Sequence, residues 1–154
     1  MRKIISLLLI SGVVFLNFST TGCKKEVHIQ TIDSMAVVKD MLIGKWLVKS
    51  YEWEIYSGSI MTNKVFEYVS DTATHTEYWQ NMTYASFYKG VPNGSGPWKL
   101  VSPYYLVLNS GVEAEERYYY IIKLDKKILI THGPFRKDGT LYNGKDLYTF
   151  YYEK

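Results

Sequence analysis

A single cysteine, Cys23, occurs in the 154 residues, so the chain forms no disulfide within itself and must rest on an apolar core. Proline is scarce, with four residues, and the 11 glycines follow no period, which excludes collagen-like and low-complexity architectures. Charge of either sign is thin. Arg2 and Lys3 aside, 16 basic residues stand against 15 acidic, a balance of +1. Such a balance gives no electrostatic footprint for nucleic acid and no strong steering field. The longest apolar stretch, residues 4–18, is broken by Ser6, Ser11, Gly12 and Asn17 and is shorter than the ~20 residues that span a bilayer.

Catalytic patterns are missing too. His28, His75 and His132 lie far apart, in no metal-ligand spacing, so neither a metal nor a cofactor is expected. Glu113, Glu115 and Glu116 precede a candidate strand, where Glu115 and Glu116 would face opposite ways. They read as a solvated rim rather than as an acid–base pair. No strained nucleophile turn surrounds any serine. No catalytic residue is assigned, and the expectation is a protein that is not an enzyme.

What is present begins with an address. Residues 1–22 have the three parts of a secretory signal: basic Arg2-Lys3, the apolar stretch, then small or polar Ser19, Thr20, Thr21 and Gly22. The run Thr20-Thr21-Gly22-Cys23 resembles the lipobox of bacterial lipoproteins, with Thr20 where Leu is commonest. The resemblance implies lipidation of Cys23, a membrane partner reached through that lipid, and an outer-membrane lipoprotein of the bacterial envelope. Lys24-Lys25-Glu26 loosely resembles the charged export tags of Bacteroidetes lipoproteins. Residues 23–33 are read as lipidated Cys and tether, and residues 34–154 as one domain.

Within that domain Ser34 is placed to cap a short helix, since Met35, Val38, Met41 and Leu42 recur at helical spacing and Gly44 stops the pattern. Nearly everything after Gly44 reads as strand, at 45–56, 63–70, 74–82, 84–89, 98–101, 104–109, 115–124, 127–132 and 147–153. Tyr118, Tyr120, Ile122 and Leu124 are expected to share one face, as are Tyr148, Phe150 and Tyr152, and Leu106 and Leu108 with Tyr104. Residues 90–97 (Gly-Val-Pro-Asn-Gly-Ser-Gly-Pro) and 133–145 are read as long irregular connections, the first because proline and glycine remove ladder donors and stiffness. Asp138-Gly139 and Asn143-Gly144 are strong turn pairs. The pattern predicts an all-β fold, a small antiparallel up-and-down barrel of about eight strands preceded by a short helix.

Gly44-Lys45-Trp46 resembles the Gly-x-Trp opening of lipocalins and of the lipocalin-like domains of Bacteroidetes lipoproteins, and Gly96-Pro97-Trp98 resembles that family's mid-domain repeat. The hairpin 120–130 and the aromatic tail ending at Tyr151-Tyr152 are similar as well. The resemblance implies a barrel whose floor is closed by Trp46, with a mouth at the opposite end. Phe135, Arg136 and Tyr142, in the second irregular connection, are then candidates for a rim that meets a ligand or partner.

Fifteen tyrosines allow two accounts: strand positions half exposed to water, the favoured one, or a cavity that stacks a ligand. Asp33-Ser34 and Asp71-Thr72 match the short pattern of Bacteroidetes O-glycosylation sites, and Asp33-Ser34 is equally a helix start. Two functions stay open. One is a binder of a small, largely apolar or aromatic-stacking ligand; the other is a non-enzymatic protein-interaction module, an envelope accessory subunit or an inhibitor, with a filled barrel core.

Overall fold

The computed structural model describes residues 34–154. The leader, Cys23, the tether, His28 and Asp33 lie outside the described residues. Helix α1 (Met35–Leu42) leads into nine strands: β1 (Gly44–Ser57), β2 (Ile60–Tyr68), β3 (His75–Tyr78), β4 (Thr83–Tyr88), β5 (Val91–Ser102), β6 (Tyr105–Leu108), β7 (Arg117–Leu124), β8 (Ile128–Phe135) and β9 (Asp146–Glu153). Eight of them close an antiparallel barrel, because β1 pairs with β3 on one edge and with β9 on the other. Strand β2 is the ninth. It pairs with Ser50–Ser57, the half of β1 that β3 leaves free, and extends the wall as a hairpin.

Helix α1 forms because its apolar positions fall four apart. Val38 and Leu42 are fully buried against the barrel, while Met35 and Val37 stay exposed. Ser34 occupies the N-cap position, but its hydroxyl makes no capping bond. The other end is tied down by two side chains from the barrel. The Trp46 indole donates to the Leu42 carbonyl at 2.7 Å, and the Lys154 ammonium donates to the carbonyls of Met41 and Ile43 at 2.8 and 2.7 Å. Carbonyls that a helix end leaves orphaned are thereby satisfied. Lys154 also lies over the Trp46 ring, 4.7 Å from its centroid.

The core follows from alternation, corrected by bulges. Trp46 and Val48 face inward from β1; an extra residue, Lys49, then shifts the parity, so Tyr51 and Trp53 face inward next. Ile122 does the same in β7. Tyr118, Tyr120 and Ile122 share the outer face as expected, but the bulge turns Leu124 inward beside Ile121. The expected grouping of Leu124 with those three is thus corrected. Leu106 and Leu108 do face the core, whereas Tyr104 lies in the turn before β6 and is exposed. Tyr148, Phe150 and Tyr152 share the inner face of β9.

Residues 90–97 are corrected as well, since all but Gly90, which stays in the turn, form the first half of β5 and pair with β4 from Val91 to Pro97. Short β6 reaches only Trp98–Ser102, so this half of β5 is an edge, where missing N–H donors cost little. Asn93 is the extra residue of a further bulge, which accommodates the Pro-Gly sequence. Likewise β8 continues to Phe135, so the irregular connection is 136–145 rather than 133–145. The predicted strand 74–82 shortens to β3, with a turn at 79–82.

The register fixes two ends. α1, Lys154 and the turns at 79–82, 103–104 and 125–127 gather at the end of Trp46, which we call the floor. The β4–β5 turn and the connections 109–116 and 136–145 gather at the opposite end, the mouth.

Candidate functional site

The barrel is hollow above its floor. A cavity of about 570 Å³ occupies the mouth half, lined by eight of the fifteen tyrosines. Of these eight, Tyr78, Tyr84 and Tyr152 are buried, Tyr51, Tyr119, Tyr142 and Tyr148 are half-buried and Tyr88 is exposed, so most of them remain the half-exposed strand tyrosines that the sequence favoured. A row of rings runs along one wall. Trp53 stacks on Tyr148 with centroids 6.0 Å apart and planes 7° from parallel; Tyr148 stacks on Phe150 at 5.6 Å; Tyr51 tilts against Phe150 at 5.9 Å. The strand period produces this row, because Tyr148 and Phe150 are two apart in β9 and pair across to Trp53 and Tyr51 in β1. The Tyr51 hydroxyl donates to the Glu67 carboxylate on β2, so the hairpin braces that end of the row.

The facing wall comes from β7. Arg117, Tyr119 and Ile121 point inward, alternating with Glu116, Tyr118 and Tyr120 outside. Gly133 of β8 makes room for Tyr119. A Cβ there would sit 2.7 Å from the Tyr118 carbonyl oxygen and 2.8 Å from the Tyr119 ring. Tyr119 lies deep in the barrel yet keeps an open face, because that face is cavity wall. Its hydroxyl makes no hydrogen bond to the described residues; that of Tyr84 donates to Asn109 Oδ1 at 3.0 Å.

Burial raises the phenol pKa values. Tyr78 and Tyr119 are driven well above the ordinary value of 10, and Tyr152 is pushed up to about 12 by burial, with Thr76 and Thr131 beside its hydroxyl pulling the other way. A pKa raised in the folded state gives stability that is complete below pH 10 and lost as pH rises through the folded value. For Tyr152 alone the two-unit rise corresponds to roughly 2–3 kcal/mol. The protein should therefore lose stability as pH rises from about 10 through 12, with tyrosinate absorbance rising only as the fold gives way. Tyrosinate appearing at pH 10 with the fold intact would mean that these hydroxyls ionise in place.

The three expected rim residues separate. Tyr142 lines the cavity, its ring 5.1 Å from the Arg117 guanidinium carbon. Phe135 packs edge-on against Tyr120 at 5.4 Å and beside His132, away from the cavity. Arg136 is exposed in the turn that Gly139 closes with an N–H···O bond of 3.0 Å to it. Sequence reasoning missed Arg117. Its only signal is alternation with Tyr119 and Ile121, in a run whose two faces look alike.

The remaining polar candidates are held structurally. Glu116 accepts from the Gly111 N–H at 3.1 Å, Lys99 at 3.1 Å and Tyr118 at 2.7 Å, and these bonds, the Tyr118 hydroxyl first, hold its carboxyl down at about 2. It braces the connection 109–116 from outside, while Glu113 and Glu115 stay exposed in a 3₁₀ turn. His75 stacks on Phe87 at 4.6 Å; His132 bonds Thr149 at 2.8 Å, and burial lowers its pKa. Among the described residues no three His, Cys, Asp or Glu side chains gather as a metal-ligand set. Asp71 closes a turn on Thr74, through N–H at 2.7 Å and hydroxyl at 3.1 Å, and leaves Thr72 exposed. Compared with family models, with curated proteins and with solved structures, the chain shows no match.

Proposed function

We propose that this chain is an outer-membrane lipoprotein of the bacterial envelope, anchored through lipid on Cys23, whose lipocalin-like barrel binds a small, largely apolar or aromatic-stacking ligand without transforming it. The observation that carries the binding reading is the cavity of about 570 Å³ walled by aromatic rings. Ligand sites of about 300–1,000 Å³ are lined in this way, by apolar and aromatic groups with a few polar ones set among them. An interaction module with a filled core would lack that space.

The neutral fluorophore N-phenyl-1-naphthylamine tests the reading. The full chain carrying Cys23→Ser, which removes competing acyl chains, should bind one probe per barrel saturably. Ser86→Trp, which fills the cavity from its own wall, should weaken binding about tenfold or more, since each 1.4 kcal/mol is a factor of ten. Probe binding unchanged by that filling sinks the cavity reading. The module reading would then gain, because β2 presents exposed Ile60, Met61, Phe66 and Tyr68 on a hairpin with an open edge.

A further inference from the structure

We infer that the cavity selects an organic monoanion, a carboxylate on an apolar body, and that Arg117 receives the carboxylate. The inference rests on the cavity being a ligand site and names the class of ligand.

No Asp or Glu lines the cavity, and Arg117 is its one lysine or arginine. Strand alternation explains the isolation. Glu116, the nearest acid in sequence, points outward to Lys99 and Tyr118, so Arg117 turns inward without it. Among the described residues no carboxylate forms an ion pair with Arg117. Its Nε is buried and has no hydrogen-bond partner. The guanidinium carbon lies over the Tyr142 ring, 5.1 Å from its centroid. Burial works against the charge, but the Tyr142 hydroxyl and the surrounding phenols outweigh it, and the guanidinium stays protonated.

A half-buried cation whose buried Nε–H has no acceptor is costly unless something pairs with it. A planar fork matches a carboxylate with two parallel N–H···O bonds. One positive charge balances one negative charge, which favours a monoanion over a phosphate dianion. Tyr119, two residues along on the same inner face, adds a phenol without a partner. The ring row of Trp53, Tyr148 and Phe150 leaves an apolar bed for the rest of the ligand.

Displacement of bound N-phenyl-1-naphthylamine by decanoate and by decan-1-ol reads this directly, since the two share a chain and differ in charge. At pH 7 decanoate should compete at least as well as the alcohol. Arg117→Met should weaken decanoate about tenfold or more, the loss expected for one charge-assisted pair, and affect decanol and the fluorophore far less. Arg117→Lys, which keeps the charge and loses the fork, should fall between the two. The decanoate response of wild type to Arg117→Met should shrink below about pH 4, where the carboxylate protonates. Equal loss for acid and alcohol in Arg117→Met, or no loss for either, overturns the inference while cavity binding stands. A chain that binds neither the fluorophore nor either competitor overturns both readings. Thermal unfolding of Arg117→Met that matches wild type separates lost recognition from lost fold; a variant that melts early is replaced by Arg117→Gln, for which the same outcomes apply.

Discussion

Replacing Trp46 with alanine should destabilise the protein by about 3–5 kcal/mol, as for other fully buried Trp side chains. The ring is 0% exposed and is among the largest wholly buried side chains of the chain. Three interactions end with it. The packing against Val38, Leu42 and the inner strands is lost, the Leu42 carbonyl loses its indole donor at 2.7 Å, and Lys154 loses the ring beneath its ammonium. An orphaned buried carbonyl alone costs about 1–3 kcal/mol. Urea unfolding followed by circular dichroism measures the change. Trp46→Phe divides it, because phenylalanine keeps most of the apolar contact and drops the hydrogen bond, so it should cost clearly less. A loss under about 1 kcal/mol for the alanine variant would show that α1 and β1 hold together without this ring.

Trp46 was legible because glycine, tryptophan and the end of a helical pattern meet at one place. Strand positions were legible because Tyr, Val, Ile, Thr and Trp crowd between turn residues, and barrel closure followed from many short strands with no helix between them. What alternation could not supply is parity. In β7 the run Arg117-Tyr118-Tyr119-Tyr120-Ile121-Ile122 is bulky on both faces, so the sequence offers no rule for which set turns inward. The bulge at Ile122 then moves Leu124 to the other face. Arg117 stayed invisible for that reason. Residues 90–97 misled differently. A proline is excluded from a strand only where a neighbouring strand needs the N–H that it lacks, and on one side of residues 91–97 the next strand, β6, is four residues long and does not reach them. Strand length is set by the partners, which the local sequence does not describe. Phe135 and Tyr142 look equivalent in sequence, yet Phe135 packs on outward-facing Tyr120 whereas Tyr142 turns into the mouth.

The full chain with Cys23→Ser should pass from the membrane fraction almost wholly to the soluble fraction, and the barrel itself is the reason for expecting so complete a change. Its outer wall carries charge in mid-strand. Lys99 pairs with Glu116 at 3.1 Å, Lys64 with Glu52 at 2.6 Å and with Glu54 at 3.1 Å, and His75 stands 3.4 Å from Glu77. Strands β3 and β6 have four residues each, where a strand crossing a bilayer needs about 9–11 and an apolar outer band. Under the proposed function, membrane residence therefore falls to the lipid. Each buried methylene contributes ~0.8 kcal/mol, one acyl chain holds only marginally, and several chains on one cysteine hold firmly. Serine accepts none of them through a thioether, so the change is close to all or none. Mass spectrometry of the wild-type protein from envelopes should find a chain that begins at Cys23 with two or three acyl groups. Wild type and Cys23→Ser that fractionate alike, or a wild-type chain whose Cys23 carries no lipid, would remove the anchor from the proposed function and leave the barrel and its cavity as they stand.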